Sequence, residues 1–203
     1  MKTVFLHGLG QTPNAWEEVI RSASLSDADC PPLFSLSQGE ISYPAILAAL
    51  ERRLADGPAP FTLCGLSLGA VLALDYALRN RERVASIVLV GVQFKMPRLL
   101  MAFQDVVFRL LPGKAFAGMG LDKPDALRLT RSMRSLDFTE KIPSLSCPVT
   151  IVCGQKDKAN LKASQNLKAL LPRARLCLLP GVGHAVNECA PEALAALLRA
   201  ERA

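Results

Sequence analysis

Short runs of valine, isoleucine and leucine recur along this chain without a polar residue at every second position. They lie at Thr3–Leu6, Pro32–Leu36, Phe61–Cys64, Ala85–Val90, Val149–Cys153 and Arg175–Leu179. A strand covered on one face alternates apolar and polar residues, whereas an unbroken run belongs to a strand covered on both. Helical spacing fills the gaps, at Asn14–Ala23, Tyr43–Ala55, Leu68–Asn80, Ala159–Leu170 and Pro191–Arg202. The last of these opens on Pro191-Glu192, a proline and an acid in the first turn. Strand and helix in alternation predict an α/β fold, a three-layer sandwich with a six-stranded all-parallel sheet in the middle. With 203 residues the chain suits one domain, 1–203, able to bury about 70% of its unfolded surface.

One segment, about residues 95–141, breaks the rhythm. Leu99–Leu111 and Pro124–Arg134 have helical spacing, and Leu99, Leu100, Phe103, Val106, Val107 and Leu110 form a broad apolar face. Between them Gly113–Gly120, with three glycines and Met119, reads as a flexible connection. The segment predicts a small helical lid between the fourth and fifth strands, its apolar face turned onto whatever it covers.

Mean hydropathy is +0.25, which raises the question of a membrane protein. The longest apolar stretches, such as Val84–Val92, fall far short of the ~20 residues of a spanning helix. The opening Met1–Gly8 reads as a strand entering a turn rather than a signal peptide, so a cytoplasmic location is expected. Six cysteines (30, 64, 147, 153, 177 and 189) form no C-x-x-C pair and no cluster with histidine. Reduced thiols follow, with no zinc site or redox pair. The net charge of +6 is uneven: residues 1–78 carry net −4, 79–141 net +6 and 142–203 net +4. No basic run is interleaved with aromatics, so nucleic-acid binding is not expected. The basic middle segment nevertheless suits an acidic partner.

Gly65-Leu66-Ser67-Leu68-Gly69 matches G-x-S-x-G between a predicted strand and a predicted helix. A nucleophilic serine there sits in a tight strand-to-helix turn, where neighbouring side chains would clash with crossing backbone. The helix N-terminus adds partial positive charge beside it. A serine hydroxyl needs an adjacent base, and only His7 and His184 are available. His184, in Gly181-Val182-Gly183-His184, follows the last predicted strand and is the expected base. Asp157, in Gly154-Gln155-Lys156-Asp157, follows the preceding strand and suits the acid that fixes the imidazole, although its position also fits a helix cap. Leu6-His7-Gly8-Leu9-Gly10 ends the first strand. The amides of Leu9 and Leu68 are the expected oxyanion-hole donors. His7 is expected to hold that loop by a hydrogen bond, with Gly8, Gly65 and Gly69 supporting loop and elbow. Trp16, Phe94 and Phe103 are candidates for the pocket wall.

The chain order Ser67…Asp157…His184, with His7-Gly8 after the opening strand and an insertion before the acid, resembles the α/β-hydrolase superfamily over nearly the whole chain. It is most similar to the small, lid-bearing bacterial serine esterases. The superfamily's usual sheet has eight strands, so the resemblance implies that this chain lacks the first edge, leaving an exposed edge or a dimer contact. It also implies a serine hydrolase that cleaves carboxylic esters of small or medium apolar acyl groups through an acyl-enzyme, with no metal and no cofactor. A serine rather than an aspartate at the nucleophile position disfavours carbon–halogen and epoxide chemistry. Other readings use the same residues: a lyase or carbon–carbon bond hydrolase, a low-turnover ligand receptor, or a hydrolase of thioesters or carrier-bound esters, with Arg98, Arg109, Arg128, Arg131 and Arg134 as candidates for holding an acidic carrier.

Overall fold

The structure, a computed structural model, describes residues 1–37 and 39–201, without the side chains of Leu100, Ala117 and Met119. The Leu100 side chain of the predicted apolar face, and Arg202 at the end of the last predicted helix, thus lie outside the described residues. Six strands form one sheet: β1 (Thr3–Leu6), β2 (Ala28–Asp29), β3 (Phe61–Leu66), β4 (Val84–Val90), β5 (Val149–Gly154) and β6 (Arg175–Leu179). Their order is β2-β1-β3-β4-β5-β6, and every pair is parallel. The helices are α1 (Glu17–Ala23), α2 (Leu33–Leu36), α3 (Tyr43–Ala55), α4 (Leu68–Arg79), α5 (Arg98–Leu110), α6 (Lys123–Ser132), α7 (Lys158–Leu170), α8 (Val186–Cys189) and α9 (Pro191–Ala200).

The pleat divides the apolar runs between two cores. Val4, Leu6, Leu63, Ile87, Leu89 and Ile151 face the core shared with α3, α4 and α7. Phe5, Cys64, Val88, Val90 and Val152 face the core shared with α1 and α9. Burial on both sides is why these strands carry no alternation. It also pushes the Cys64 thiol pKa well up, as suits a cysteine that packs as a small hydrophobe. Helix α4 is buried all the way from Leu68 to Ala77. A helix apolar on nearly every side belongs inside, its one acid, Asp75, being bonded to Tyr43 and Arg79, and this one carries the serine turn at its start.

The expected strand at Pro32–Leu36 is instead α2, and the second strand is the two-residue Ala28–Asp29. The reason is local. Pro31 and Pro32 offer no N–H to a ladder, while a proline is well suited to a helix start. The first free amide of that helix, Leu33 N–H, goes to His7 Nε2 at 3.2 Å. The short edge strand is also guarded by charge, since Asp29 pairs with Lys2 at 3.0 Å and Arg53 at 2.9 Å.

The segment between β4 and β5 holds α5 and α6, and two of its details differ from expectation. Gly113–Gly120 is largely a 3-10 turn (Gly113–Met119), anchored by a fully buried Phe116 edge-on to Phe108. Helix α5 also turns its larger apolar face outward: Leu99, Phe103, Val106 and Leu110 are exposed. The opposite line, Met101, Asp105 and Phe108, faces inward, and Asp105 explains why. Its carboxylate accepts from Arg131 Nε at 2.7 Å and pairs with Arg109 at 2.9 Å and Arg134 at 3.2 Å. The Arg131 bond, reinforced by the other two guanidiniums, holds this carboxyl below the usual range. Turning the apolar line inward would break that cluster.

Candidate active site

The order of strands places the site. The chain runs from β1 outward to β2, crosses back over β1 to β3, and then proceeds the other way. The carboxyl ends of β1 and β3 flank that reversal, where open α/β sheets form a crevice. The His7–Gly10 loop leaves β1 there and Ser67 leaves β3.

Ser67 takes φ 54° and ψ −113°, one of two non-glycine residues with positive φ among those described. Such a conformation costs on the order of 1–3 kcal/mol and persists only where its surroundings enforce it. Here its N–H donates to Val90 O at 2.9 Å and its carbonyl accepts from Val71 N–H at 3.0 Å. The flanking glycines are required by contact. A Cβ on Gly65 would run into the backbone of Gly69, and one on Gly69 into the Leu6 carbonyl.

His7 is buried, and its ring fixes the β1 loop from both sides. Leu33 N–H can only donate, so Nε2 accepts and the proton sits on Nδ1, which donates to Gly8 O at 3.0 Å. Burial lowers the His7 pKa from its usual value. The unfolded chain therefore takes up a proton near pH 6.5 that the folded chain resists. Stability from this group is present above about pH 6.5 and is lost as pH falls below it. Melting temperature is expected to decline between pH 7 and pH 5 in the native protein, and to decline less in His7→Gln, as followed by circular dichroism. Equal slopes would mean that other groups dominate.

Leu9 and Leu68 line the same cavity as Ser67, and each has a backbone N–H to offer. Neither donates to another backbone carbonyl or side chain among the described residues. Gln11 ties this loop to the far end of the chain. Its Oε1 accepts from Gly8 N–H at 3.2 Å, and its Nε2 donates to Asn187 Oδ1 at 3.1 Å and Glu188 Oε1 at 2.7 Å.

Asp157 and His184 meet across the ends of β5 and β6. Asp157 Oδ2 accepts from His184 Nδ1 at 2.6 Å. Asp157 also caps α7, its Oδ1 accepting from Asn160 N–H at 3.3 Å, so the two roles coexist in one inward-turned side chain. Asn160 adds a contact that sequence reading missed. Its Nδ2 lies 3.0 and 2.8 Å from the two carboxylate oxygens, while Gln93 Nε2 donates to its Oδ1 at 2.9 Å. The signal was present as an acid and an amide three residues apart at a helix start. Burial pushes the Asp157 carboxyl up, but the bonds from His184 and Asn160 outweigh it and hold the pKa below the usual value. Gly91, at φ +58°, was also missed: a Cβ there would lie 3.0 Å from His184 Cε1 and 3.4 Å from Asp157 Oδ2.

Ser67, His184, Leu9 and Leu68 converge on a cavity of about 190 Å³, walled by Val71, Met96, Met101, Leu129 and Met133. None of the three expected wall residues lines it. Phe103 is on the solvent side of α5, for the reason given by Asp105. Trp16 is fully buried in the opposite core, its ring 5.0 Å from that of Phe5. Phe94 borders an open groove next door, which shares Gln93, Met96, Pro97 and Ala159 with the cavity. Among the described residues no group of three or more histidine, cysteine or acidic side chains is placed to hold a metal ion.

A six-stranded parallel sheet with a strained serine turn at the reversal of strand order is the architecture of a hydrolase superfamily. The alpha/beta hydrolase family model matches residues 3–197, and the chain belongs to that family. Among curated proteins, RutD of Escherichia coli (strain K12 / DH10B), named for a proposed carbamate hydrolase activity, is 35% identical over 77 residues. That match takes in 37% of this chain and 29% of RutD, so the chain spans less than a third of its curated relative. Solved structures share the fold at low identity. The enol-lactonase of Burkholderia xenovorans LB400 superposes with a TM-score of 0.84 at 15% identity, covering 98% of this chain and 90% of that one. The esterase of Thermogutta terrifontis gives 0.76 at 19% identity, covering 98% and 88%. The thioesterase domain of the curacin biosynthetic pathway gives 0.72 at 21% identity, covering 97% and 90%.

Proposed function

We propose that this protein is a serine hydrolase that cleaves carboxylic esters of small or medium apolar acyl groups. The observation that carries the reading is the convergence of Ser67 and the 2.6 Å Asp157–His184 pair on one apolar cavity. In the proposed reaction His184 takes the proton of Ser67 as Oγ attacks the ester carbonyl. The amides of Leu9 and Leu68 receive the oxyanion, each such donor being worth about 3–4 kcal/mol in the transition state. His184 then protonates the leaving alcohol, and water cleaves the acyl-enzyme by the same steps in reverse. Asp157 holds the imidazole with its proton on Nδ1, which leaves Nε2 free to accept. Asn160 positions Asp157, and Gln93 positions Asn160. Activities named for the relatives, on a carbamate, an enol-lactone, an ester and a thioester, all break a bond from carbonyl carbon to a heteroatom, which supports acyl transfer here.

The test is hydrolysis of p-nitrophenyl esters from acetate to octanoate, together with mass spectrometry after exposure to a p-nitrophenyl phosphonate. Turnover that peaks at a short or medium acyl chain, and a phosphonate adduct on Ser67, are expected. An adduct on another residue would remove Ser67 from the role. Labelling of Ser67 without hydrolysis of any ester would retain the nucleophile and overturn the substrate class.

A further inference from the structure

The outward face of α5 has no role in the chemistry above. Leu99, Phe103, Val106 and Leu110 are 88%, 67%, 53% and 80% exposed. Spaced four, three and four residues apart, they form one line about 16 Å long. Exposed Arg98 stands at one end, and exposed Arg109 and Lys114 at the other. Beyond the helix end, Lys123 Nζ donates to the carbonyls of Arg109 at 2.6 Å and Leu111 at 2.7 Å. The one acid of this helix, Asp105, is buried and outnumbered by three guanidiniums. The surface is thus an apolar ridge with cations at both ends. Contiguous apolar patches with a polar rim mark interfaces.

From this ridge we infer that α5 docks the protein on an anionic lipid surface, with the helix lying in the plane of the headgroups. Charge selects the occupant. Packing two copies about a two-fold axis with their ridges antiparallel would set Arg98 of one beside Arg109 of the other, cation against cation. An anionic headgroup layer answers both ends of the ridge at once. Chemistry agrees with this choice. The side chains are exposed where acyl chains can pack against them, and the line Leu99–Phe103–Val106–Leu110 offers no hydrogen-bonding group of the kind protein interfaces use. No helix among the described residues is long and apolar enough to cross a membrane, so the contact is one of lying on the surface. Met101, on the inner side of the same helix, walls the cavity at Ser67, so docking would bring that cavity to the lipid. The inference concerns binding and does not depend on the ester-hydrolase reading.

The experiment is co-sedimentation of the protein with phosphatidylcholine vesicles made with and without phosphatidylglycerol. Binding is expected to the anionic vesicles and not to the neutral ones, and to weaken as salt rises. The double variant Phe103→Gln/Leu110→Gln is expected to bind at least about tenfold more weakly. Both side chains point into solvent, so its melting temperature should match that of the native protein. The pair Arg98→Glu/Lys114→Glu should lose binding in the same way. A native protein left in the supernatant with anionic vesicles would overturn the inference. So would a double variant that sediments as well as the native protein, or native dimers that this variant dissolves, which would assign the ridge to a second copy. An acidic carrier protein captured through Phe103 and Leu110 where vesicles are not would overturn it as well.

Discussion

Ser67→Ala is expected to lower kcat for a p-nitrophenyl ester by about 10⁶, whereas Asp157→Asn is expected to lower it by about 10⁴. The gap follows from what each atom does in the proposed reaction. Without the hydroxyl there is no acyl-enzyme, and only binding and the Leu9 and Leu68 amides remain to favour attack by water. With asparagine at 157 the hydroxyl and imidazole stay in place, but the proton on the imidazole moves. Asp157 Oδ2 now accepts from His184 Nδ1. If the asparagine turned its amide nitrogen toward that atom, Nδ1 would have to accept and the proton would shift to Nε2, where it blocks uptake from Ser67. Folding should survive, because asparagine caps a helix as well as aspartate and can still accept from Asn160 N–H. Circular dichroism should therefore give nearly unchanged melting while steady-state rates collapse. A near-native rate in Asp157→Asn would mean that the imidazole is oriented by some other group. A near-native rate in Ser67→Ala would remove the serine mechanism altogether. Asn160→Ala provides a finer check. It should lower kcat without raising KM and shift the acid limb of the pH–rate profile, an outcome that a purely structural side chain would not produce.

The positions of Ser67, Asp157 and His184 at one end of the sheet were legible because each follows an apolar strand run, and such runs can be read without knowing which strands touch. G-x-S-x-G was legible for a stronger reason: both glycines are demanded by backbone that passes within contact, whatever the rest of the chain does. The second strand was misread because Pro32–Leu36 has strand-like apolar content, while the missing N–H groups of Pro31 and Pro32 decide for helix. The outward ridge of α5 was misread because hydrophobicity alone cannot rank two faces of a helix when one holds a carboxylate. Asp105 finds its arginines 26 and 29 residues further on, and that separation is invisible to periodicity. Gln93 escaped for the same reason, since it acts through Asn160, 67 positions away, whereas Asn160 lies only three residues from Asp157 and reads there as an ordinary helix-start amide. Long-range polar partners are where one-dimensional reading stops.

Two glycines near the site are expected to fail in opposite ways when each is changed to alanine. At Gly69 the new methyl would meet the Leu6 carbonyl and lie 2.9 Å from His7 O, both of them backbone atoms at the end of β1. No rotamer change relieves that contact, so β1 and the start of α4 must separate. A backbone displacement in the core costs at least about 4 kcal/mol, a large part of the 5–15 kcal/mol that holds a domain together. Gly69→Ala should therefore be insoluble or melt about 10 °C or more below the native protein. At Gly91 the methyl would lie 3.0 Å from Cε1 and 3.1 Å from Nδ1 of His184, a side chain on a loop. The imidazole can retreat, so the fold loses only the ~1–2 kcal/mol of a left-handed alanine. Retreat by a fraction of an ångström disturbs the 2.6 Å bond to Asp157 and the approach to Ser67 that the proposed reaction needs, and a misplacement approaching 1 Å costs about 10²-fold in rate. Gly91→Ala should accordingly fold, bind substrate and turn over one to two orders of magnitude more slowly. If instead Gly69→Ala melts normally, the close crossing of the serine turn over β1 is wrong. If Gly91→Ala retains full kcat, the imidazole does not rest against Gly91 during turnover, and the geometry proposed for His184 would have to be redrawn.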